Sequence, residues 1–348
     1  MSAPAVGVGL IGCGTIAYWS HLQVLRRLRG ATLVAAADPD ARARDLAART
    51  AGVPVLARAD ELLARPDVAA VVIAAPTHLH ARLAIEAASA GKHFYLEKPI
   101  ATTAADAERV LEAAARSGVR AAVGFNRRMH PLFQQARDLV RAGRLGRVYA
   151  VQTSFCEPVS AAAMPAWKRQ RTTGGGVLLD LASHHADLVR WILADDIATV
   201  TASVRSDESE HDSARVEMTT RRGVEVQSWF SFRSGLADYL ELLGERGSLR
   251  MDRHSPRLVL RVLRRFGYGM RRLPVLPTRS AARWRVTRLV RPSVDPSYRR
   301  ALQAFVDHLH GEPAAPASLA DGAQSLAIVL AAERSVDGRL VEVACASS

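Results

Sequence analysis

Four groups of residues have the types and spacing to do chemistry. The first is Gly12-x-Gly14-x-x-Ala17, between a short apolar run and a helical stretch. In such a turn the first glycine permits the tight bend and the second lets backbone approach a pyrophosphate at a helix N-terminus. The small third residue allows close helix–strand packing. The second is Asp38, 24 residues beyond Gly14 at the end of the next apolar run. There a carboxylate accepts hydrogen bonds from adenosine ribose hydroxyls. It also repels a 2′-phosphate, which predicts NAD in preference to NADP, although Arg42 and Arg44 are near enough to soften that preference.

The third group is Glu97-Lys98-Pro99, at the end of the apolar run His93–Leu96. Strand carboxyl ends in an open α/β sheet face the ligand crevice, so this lysine is predicted to meet substrate or cofactor. An isolated Glu-Lys pair would otherwise read as a surface salt bridge. The fourth is Asp180-x-x-x-His184. An i, i+4 spacing puts both on one helical face, where a carboxylate can orient an imidazole for general-base work near neutral pH. His185 and Asp187 point elsewhere, one of them as a cap or salt-bridge partner. Without the other three groups the His-Asp pair would read as structural.

The elements that must position these residues change character along the chain. Val6–Ile11, Thr32–Ala37, Val68–Ala74, His93–Leu96 and Arg120–Phe125 read as short buried strands separated by helices. That alternation predicts βαβ units and a parallel sheet. After about residue 125 come a helix at Pro131–Arg141, a strand at Arg147–Phe155, and an irregular stretch through Trp167. Gly174-Gly175-Gly176 then precedes an amphipathic helix over Val177–Leu193. Strand-like runs follow without helices between them: Thr199–Arg205, Ala214–Thr220, Val224–Phe232, Asp238–Gly244 and Gly247–Met251. Late helices are predicted at Pro296–His310 and Leu319–Val336. The fold class is therefore α/β. An N-terminal doubly wound parallel sheet of Rossmann type covers 1–125, and an α+β domain with a large, mostly antiparallel open sheet covers 126–348.

Composition narrows the function classes. The 348 residues are 49% hydrophobic, enough for substantial cores and against disorder. No apolar run approaches the roughly 20 residues of a membrane-spanning helix, and no secretory signal is legible. Cys13, Cys156 and Cys345 form no CxxC pair, which argues against a disulfide framework or metal site and for the cytoplasm. The net charge of +13 is concentrated: residues 253–291 hold twelve arginines and no acid. A basic face for nucleic acid would be spread more widely, so no nucleic-acid partner is expected. Pro274, Pro277, Gly267 and Gly269 break any long amphipathic helix there. The stretch reads as a solvated loop or oligomer contact, with arginines that clamp an anionic sugar or sugar nucleotide, or membrane-surface docking through Phe266, Tyr268 and Trp284, as the alternatives. Lys92, Lys98 and Lys168 are the three lysines in an arginine-rich chain, and each merits inspection.

In order along the chain, GLIGCGTIA, ADPD, AAPTHLHA, EKP, GFNRRMHP and GGGVLLDLASHHADLVRW resemble the glucose–fructose oxidoreductase/inositol dehydrogenase/rhizopine-catabolism (Gfo/Idh/MocA) family. The resemblance covers essentially the whole chain. It implies an NAD(P)-dependent enzyme moving a hydride between nicotinamide and a hydroxyl or keto carbon of a sugar, cyclitol or sugar nucleotide. It also implies a homo-oligomer, dimer or tetramer, built through the C-terminal sheet. Lys98 matches the lysine that contacts nicotinamide and substrate hydroxyl, and Asp180 and His184 match the acid and the catalytic histidine. On this reading His184 takes the hydroxyl proton, Lys98 stabilises the alkoxide and Asp180 holds His184. Pro99 matches a proline often preceded by a cis bond. The cofactor-binding set becomes Gly12, Gly14, Thr15, Ile16, Asp38, Pro76, Thr77, His80, Glu97, Lys98 and Asn126, with no metal. Thr77 stands where the family more often has Asn, and Ala182 where it has Gly. A non-catalytic, cofactor-sensing regulator on the same fold is the alternative reading.

Overall fold

The structure is a computed structural model and describes residues 4–254, 258–263, 270–273, 278–290, 295–335 and 338–344. Six short strands, β1 (Val6–Ile11), β2 (Ala31–Ala37), β3 (Val55–Leu56), β4 (Ala70–Ile73), β5 (His93–Leu96) and β6 (Ala121–Val123), form the first sheet. Its order is β3-β2-β1-β4-β5-β6, and every pairing is parallel. β4 is buried at all four positions, as a strand covered by helices on both faces must be. Strand order reverses between β1 and β4, which opens a crevice at their carboxyl ends.

The second sheet contains β7 (Val148–Cys156), β8 (Ile197–Arg205), β9 (Ser213–Thr220), β10 (Glu225–Ser231), β11 (Ala237–Gly244), β12 (Gly247–Asp252), β13 (Leu258–Leu263), β14 (Met270–Leu273) and β15 (Val341–Glu342). Its order is β14-β13-β12-β11-β7-β10-β9-β8-β15, antiparallel throughout except for β7 with β10. Burial alternates residue by residue along β10 and β11, so one face packs and the other meets solvent. The helices Ser183–Leu193 and Leu319–Arg334 cover the packed face, and the latter also reaches the first sheet through β6 and the helix Ala104–Ser117. A capping box between Ser318 and Asp321 starts the helix at residue 319.

Two expectations need correction. Among the described residues the stretch after 253 is not a loop: β13 and β14 extend the sheet and Arg279–Val290 is helical. Trp284 is buried, edge-on to His130 at 4.8 Å between ring centroids, so it is not a surface anchor. Phe266, Tyr268, Arg257, Arg264, Arg265 and Arg291 lie outside the described residues. The predicted helix over 177–193 is also interrupted at its start, because Leu178–Ala182 forms a π turn before the α-helix begins at Ser183. The helix Pro296–Leu309 returns from the second half of the chain and buries Leu302 and Phe305 in the core beneath β1 and β5, against Tyr95.

Candidate active site

A cavity of about 1060 Å³ runs from the carboxyl ends of β1 and β2 to the start of the helix at Ser183. Its outer end is built locally. Gly12 has φ of +92°, and a Cβ there would lie 2.6 Å from the carbonyl oxygen of Ala74. Only glycine therefore lets β1 turn beside β4. Beside Gly14 the corresponding space is open, with nothing within 4 Å, and Ala17 is fully buried against the sheet. Asp38 accepts the Cys13 N–H at 2.7 Å and the Asp40 N–H at 2.8 Å, which fixes its carboxylate at the cavity edge. Burial, and then the charge of Asp38, push the Cys13 thiol up to about 12. Arg44 donates to the carbonyl oxygens of Asp38 and Pro39, so its guanidinium is engaged with backbone. An open cradle beside Gly14 and a carboxylate held one strand away fit a dinucleotide with free ribose hydroxyls.

Gly12, Gly14, Thr15, Ile16, Asp38, Pro76, Thr77, His80, Glu97 and Lys98 all line this cavity. Asn126 does not. It is buried and donates to the Ser297 hydroxyl at 2.9 Å, tying the turn after β6 to the late helix. His80 acts as a strut, with Nδ1 2.7 Å from the Pro99 carbonyl and Nε2 2.9 Å from that of Ala75. The Lys98–Pro99 peptide bond is cis. Glu97 is buried, accepts the Lys98 N–H and meets His21 Nε2 at 2.8 Å.

The inner end is assembled from distant segments. Lys98 Nζ lies 2.6 Å from Asp180 Oδ1 and 2.8 Å from the Asp180 carbonyl. Lys168 Nζ lies 2.8 Å from Oδ2 of the same carboxylate. Gly175 makes this approach possible, since a Cβ there would fall 2.2 Å from the Lys168 carbonyl. Burial alone would raise the Asp180 carboxyl, but the ammonium groups of Lys168 and Lys98 outweigh it and hold it well below the usual carboxylate range.

Asp180 does not hold His184, contrary to expectation. Both residues line the cavity, and the π turn at Leu178–Ala182 does not take them off a common face; what separates them is the competition of two ammonium groups for the carboxylate. The carboxylate goes to the two lysines instead. His184 still lines the cavity, between the rings of Phe125 and Phe155. Its Nδ1 is buried without a partner, which leaves Nε2 as the nitrogen available to the cavity. Burial, then the charges of Lys98 and Arg127, hold its proton affinity well below that of an ordinary histidine, so the ring is neutral at pH 7.

Next to these groups lies a charged cluster that the motifs did not single out, two of whose members, Arg127 and Arg253, also line the cavity. Arg127 pairs with Asp238 at 2.6 Å and lies 3.9 Å from the Phe155 ring centroid. Arg253 pairs with the other oxygen of Asp238 at 3.1 Å and with Asp295 at 3.5 Å. His185 joins the same cluster, and Asp187 takes Arg128 bidentately, so both have structural partners where only one was expected to. Among the described residues no group of His, Cys, Asp and Glu could hold a metal, and no helix is long and apolar enough to cross a membrane.

The relatives of this chain share both halves of the architecture. Residues 6–125 match the Gfo/Idh/MocA oxidoreductase family with NAD-binding Rossmann fold, and residues 133–250 match the Gfo/Idh/MocA C-terminal domain. An inositol 2-dehydrogenase of Acidothermus cellulolyticus is 31% identical over 78% of this chain and 78% of its own. The dTDP-3,4-didehydro-2,6-dideoxy-alpha-D-glucose 3-reductase of Streptomyces violaceoruber is 32% identical over 80% of this chain and 83% of its own. Among solved structures, the WlbA dehydrogenase from Bordetella pertussis, in complex with NADH and UDP-GlcNAcA, superposes with a TM-score of 0.84. It is 24% identical over 99% of both chains, a likeness of fold. With a glycine-rich turn at one end of the cavity and Lys98, Asp180 and His184 at the other, the chain belongs to the Gfo/Idh/MocA oxidoreductase family, NAD-binding through its Rossmann fold.

Proposed function

We propose that the protein is an NAD-dependent dehydrogenase or ketoreductase acting on a hydroxyl or keto carbon of a sugar, cyclitol or sugar nucleotide. The observation that carries this reading is the meeting of Lys98, Asp180 and His184 at the inner end of a cavity whose outer end is shaped for a dinucleotide. The relatives that act on inositol and on a dideoxy sugar nucleotide support the substrate class. When bound, the nicotinamide supplies the two-electron acceptor or donor. His184, neutral and open through Nε2, removes the hydroxyl proton in the oxidising direction. Lys98 donates a hydrogen bond to the oxygen as negative charge develops on it. Asp180 positions Lys98 and keeps it from drifting toward solvent, a different role from orienting the histidine.

Cofactor contacts fall to Gly12, Gly14, Thr15, Ile16, Asp38, Pro76, Thr77 and Glu97. Asp38 favours NAD over NADP, and the engagement of Arg44 with backbone supports that preference. We divide the chain functionally at residue 125, with the helix Pro296–Leu309 lent back to the cofactor half. The solvent face of the second sheet, carrying Tyr149 and Trp229, is where we place a homo-oligomer contact. Cytoplasmic residence accords with Cys13 and Cys156 being free thiols.

The test is absorbance of reduced nicotinamide with a panel of sugars, cyclitols and sugar nucleotides. Turnover with NAD(H) on at least one member is expected. Binding of NAD(H) without turnover on any member would favour the regulator instead.

A further inference from the structure

Two ammonium groups share one carboxylate at the inner end of the cavity. Lys98 directs hydrogen bonds to both the carbonyl and Oδ1 of Asp180, two of its three donors. Lys168 gives one donor, to Oδ2, and its side chain stays 33% exposed on the cavity wall. It therefore retains two donors for another acceptor. Trp167, next in the chain, lines the same wall with its ring centroid 5.5 Å from the Lys168 ammonium.

At this point two ammonium groups meet a single carboxylate. Asp180 neutralises one of the two lysines. The next cations inward, Arg127 and Arg253, are matched by Asp238 and Asp295. Glu157, exposed on this wall, also favours the Lys168 charge, and Glu97, buried beside Lys98, meets His21 at 2.8 Å. Lys98, Arg127 and Arg253 also act, after burial, to keep His184 a poor proton acceptor. An anion placed among these cations would offset that effect and make His184 a better base.

We propose that Lys168 is a substrate-selecting residue, which favours a sugar or cyclitol bearing a carboxylate or phosphate over its neutral counterpart. The anionic group takes the two donors that Lys168 retains, while Lys98 and His184 face the reacting carbon. This rests on the dehydrogenase reading above and adds the charge of the substrate to it. It also moves the source of anion preference: among the described residues, Arg253 is the member of the twelve-arginine stretch that lines the cavity.

The test is isothermal titration of the NADH-loaded protein with glucuronate, glucose 6-phosphate, glucose and myo-inositol. NADH affinity of the wild type, Lys168→Met and Lys168→Arg is measured first and reports an intact cofactor half. At least one anionic sugar is expected to bind tenfold or more tightly than both neutral compounds, and which of the two does so distinguishes carboxylate from phosphate. Lys168→Met should reduce that preference at least tenfold, and Lys168→Arg should keep most of it. Equal affinity for charged and neutral compounds, no binding of either anionic sugar, or an undiminished preference in Lys168→Met overturns the proposal. The wild-type ratio decides by itself if the Met variant does not fold. A protein that binds no NADH overturns the dehydrogenase reading instead.

Discussion

The two ends of the cavity are made in different ways. At the dinucleotide end the parts are close in sequence: Cys13 and Asp38, joined by a hydrogen bond, are 25 residues apart. One βαβ unit supplies the turn, the helix start and the acid, so local geometry positions the chemistry. At the substrate end Lys98 and Asp180 are 82 residues apart, and Arg127 and Asp238 are 111. Those pairs exist only because two sheets are packed so that β5 opens toward the π turn at Leu178–Ala182. The first end can be read as a pattern. The second is a constellation held by buried ion pairs, each of which leaves an uncompensated charge if one partner is removed.

The sharpest way to break this contrast is to remove one group from each end. His184→Ala should lower kcat about 10²–10⁴-fold, the usual contribution of a positioned acid or base. Lys98→Ala should lower it about 10²–10³-fold through loss of an oxyanion donor. Both should still bind NADH, measured by titration, because neither touches the glycine-rich turn. Near-wild-type kcat in either variant, on a confirmed substrate, would remove the assigned roles.

Asp38→Ala should do the reverse. Losing hydrogen bonds from ribose hydroxyls to a carboxylate, worth about 1.5–3 kcal/mol each, should weaken NADH about tenfold or more. NADPH should gain relative to NADH, with kcat little changed once the cofactor is saturating. Parallel titrations with both cofactors check this, and an unchanged ratio would show that Asp38 does not set it.

A smaller effect concerns pH. Because the folded protein holds His184 well below the ordinary histidine range, the base remains available as pH falls through 6.5. The acid limb of kcat/KM in the oxidising direction should therefore lie below pH 6.5. Replacing Lys98 with Met removes a cation near the ring, so the limb should move up, toward ordinary histidine. A limb at or above 6.5 in the wild type would mean that His184 is not the titrating base.

Much of the dinucleotide end was legible from residue types alone. Gly12 was predictable because a backbone at positive φ against a neighbouring strand tolerates no Cβ, and Asp38 because a strand end fixes its position. Asn126 misled, since adjacency to β6 says nothing about the direction in which a side chain leaves the turn; it turns inward to Ser297. The Asp180–His184 spacing misled for a related reason. An i, i+4 spacing places two side chains on one face but does not say which neighbour each will take, and here Lys98 and Lys168 reach the carboxylate. Lys168 left a faint trace, as one of three lysines where arginine is the habit. Nothing in its neighbours told that it would share a carboxylate with Lys98.

By itself the sequence determined the parallel sheet, the glycine-rich turn, the acid at the second strand end and the lysine at the fifth. These depend on short-range periodicity and on the conformational limits of single residues. Tertiary structure alone decided that Asp180 serves two lysines rather than a histidine. It also decided that Arg127 and Arg253 line the site, held on one buried aspartate, and that the arginine-rich stretch extends a sheet. The physical reason is that buried charges take whichever partner packing brings within hydrogen-bonding distance, and packing joins segments whose separation no local pattern encodes.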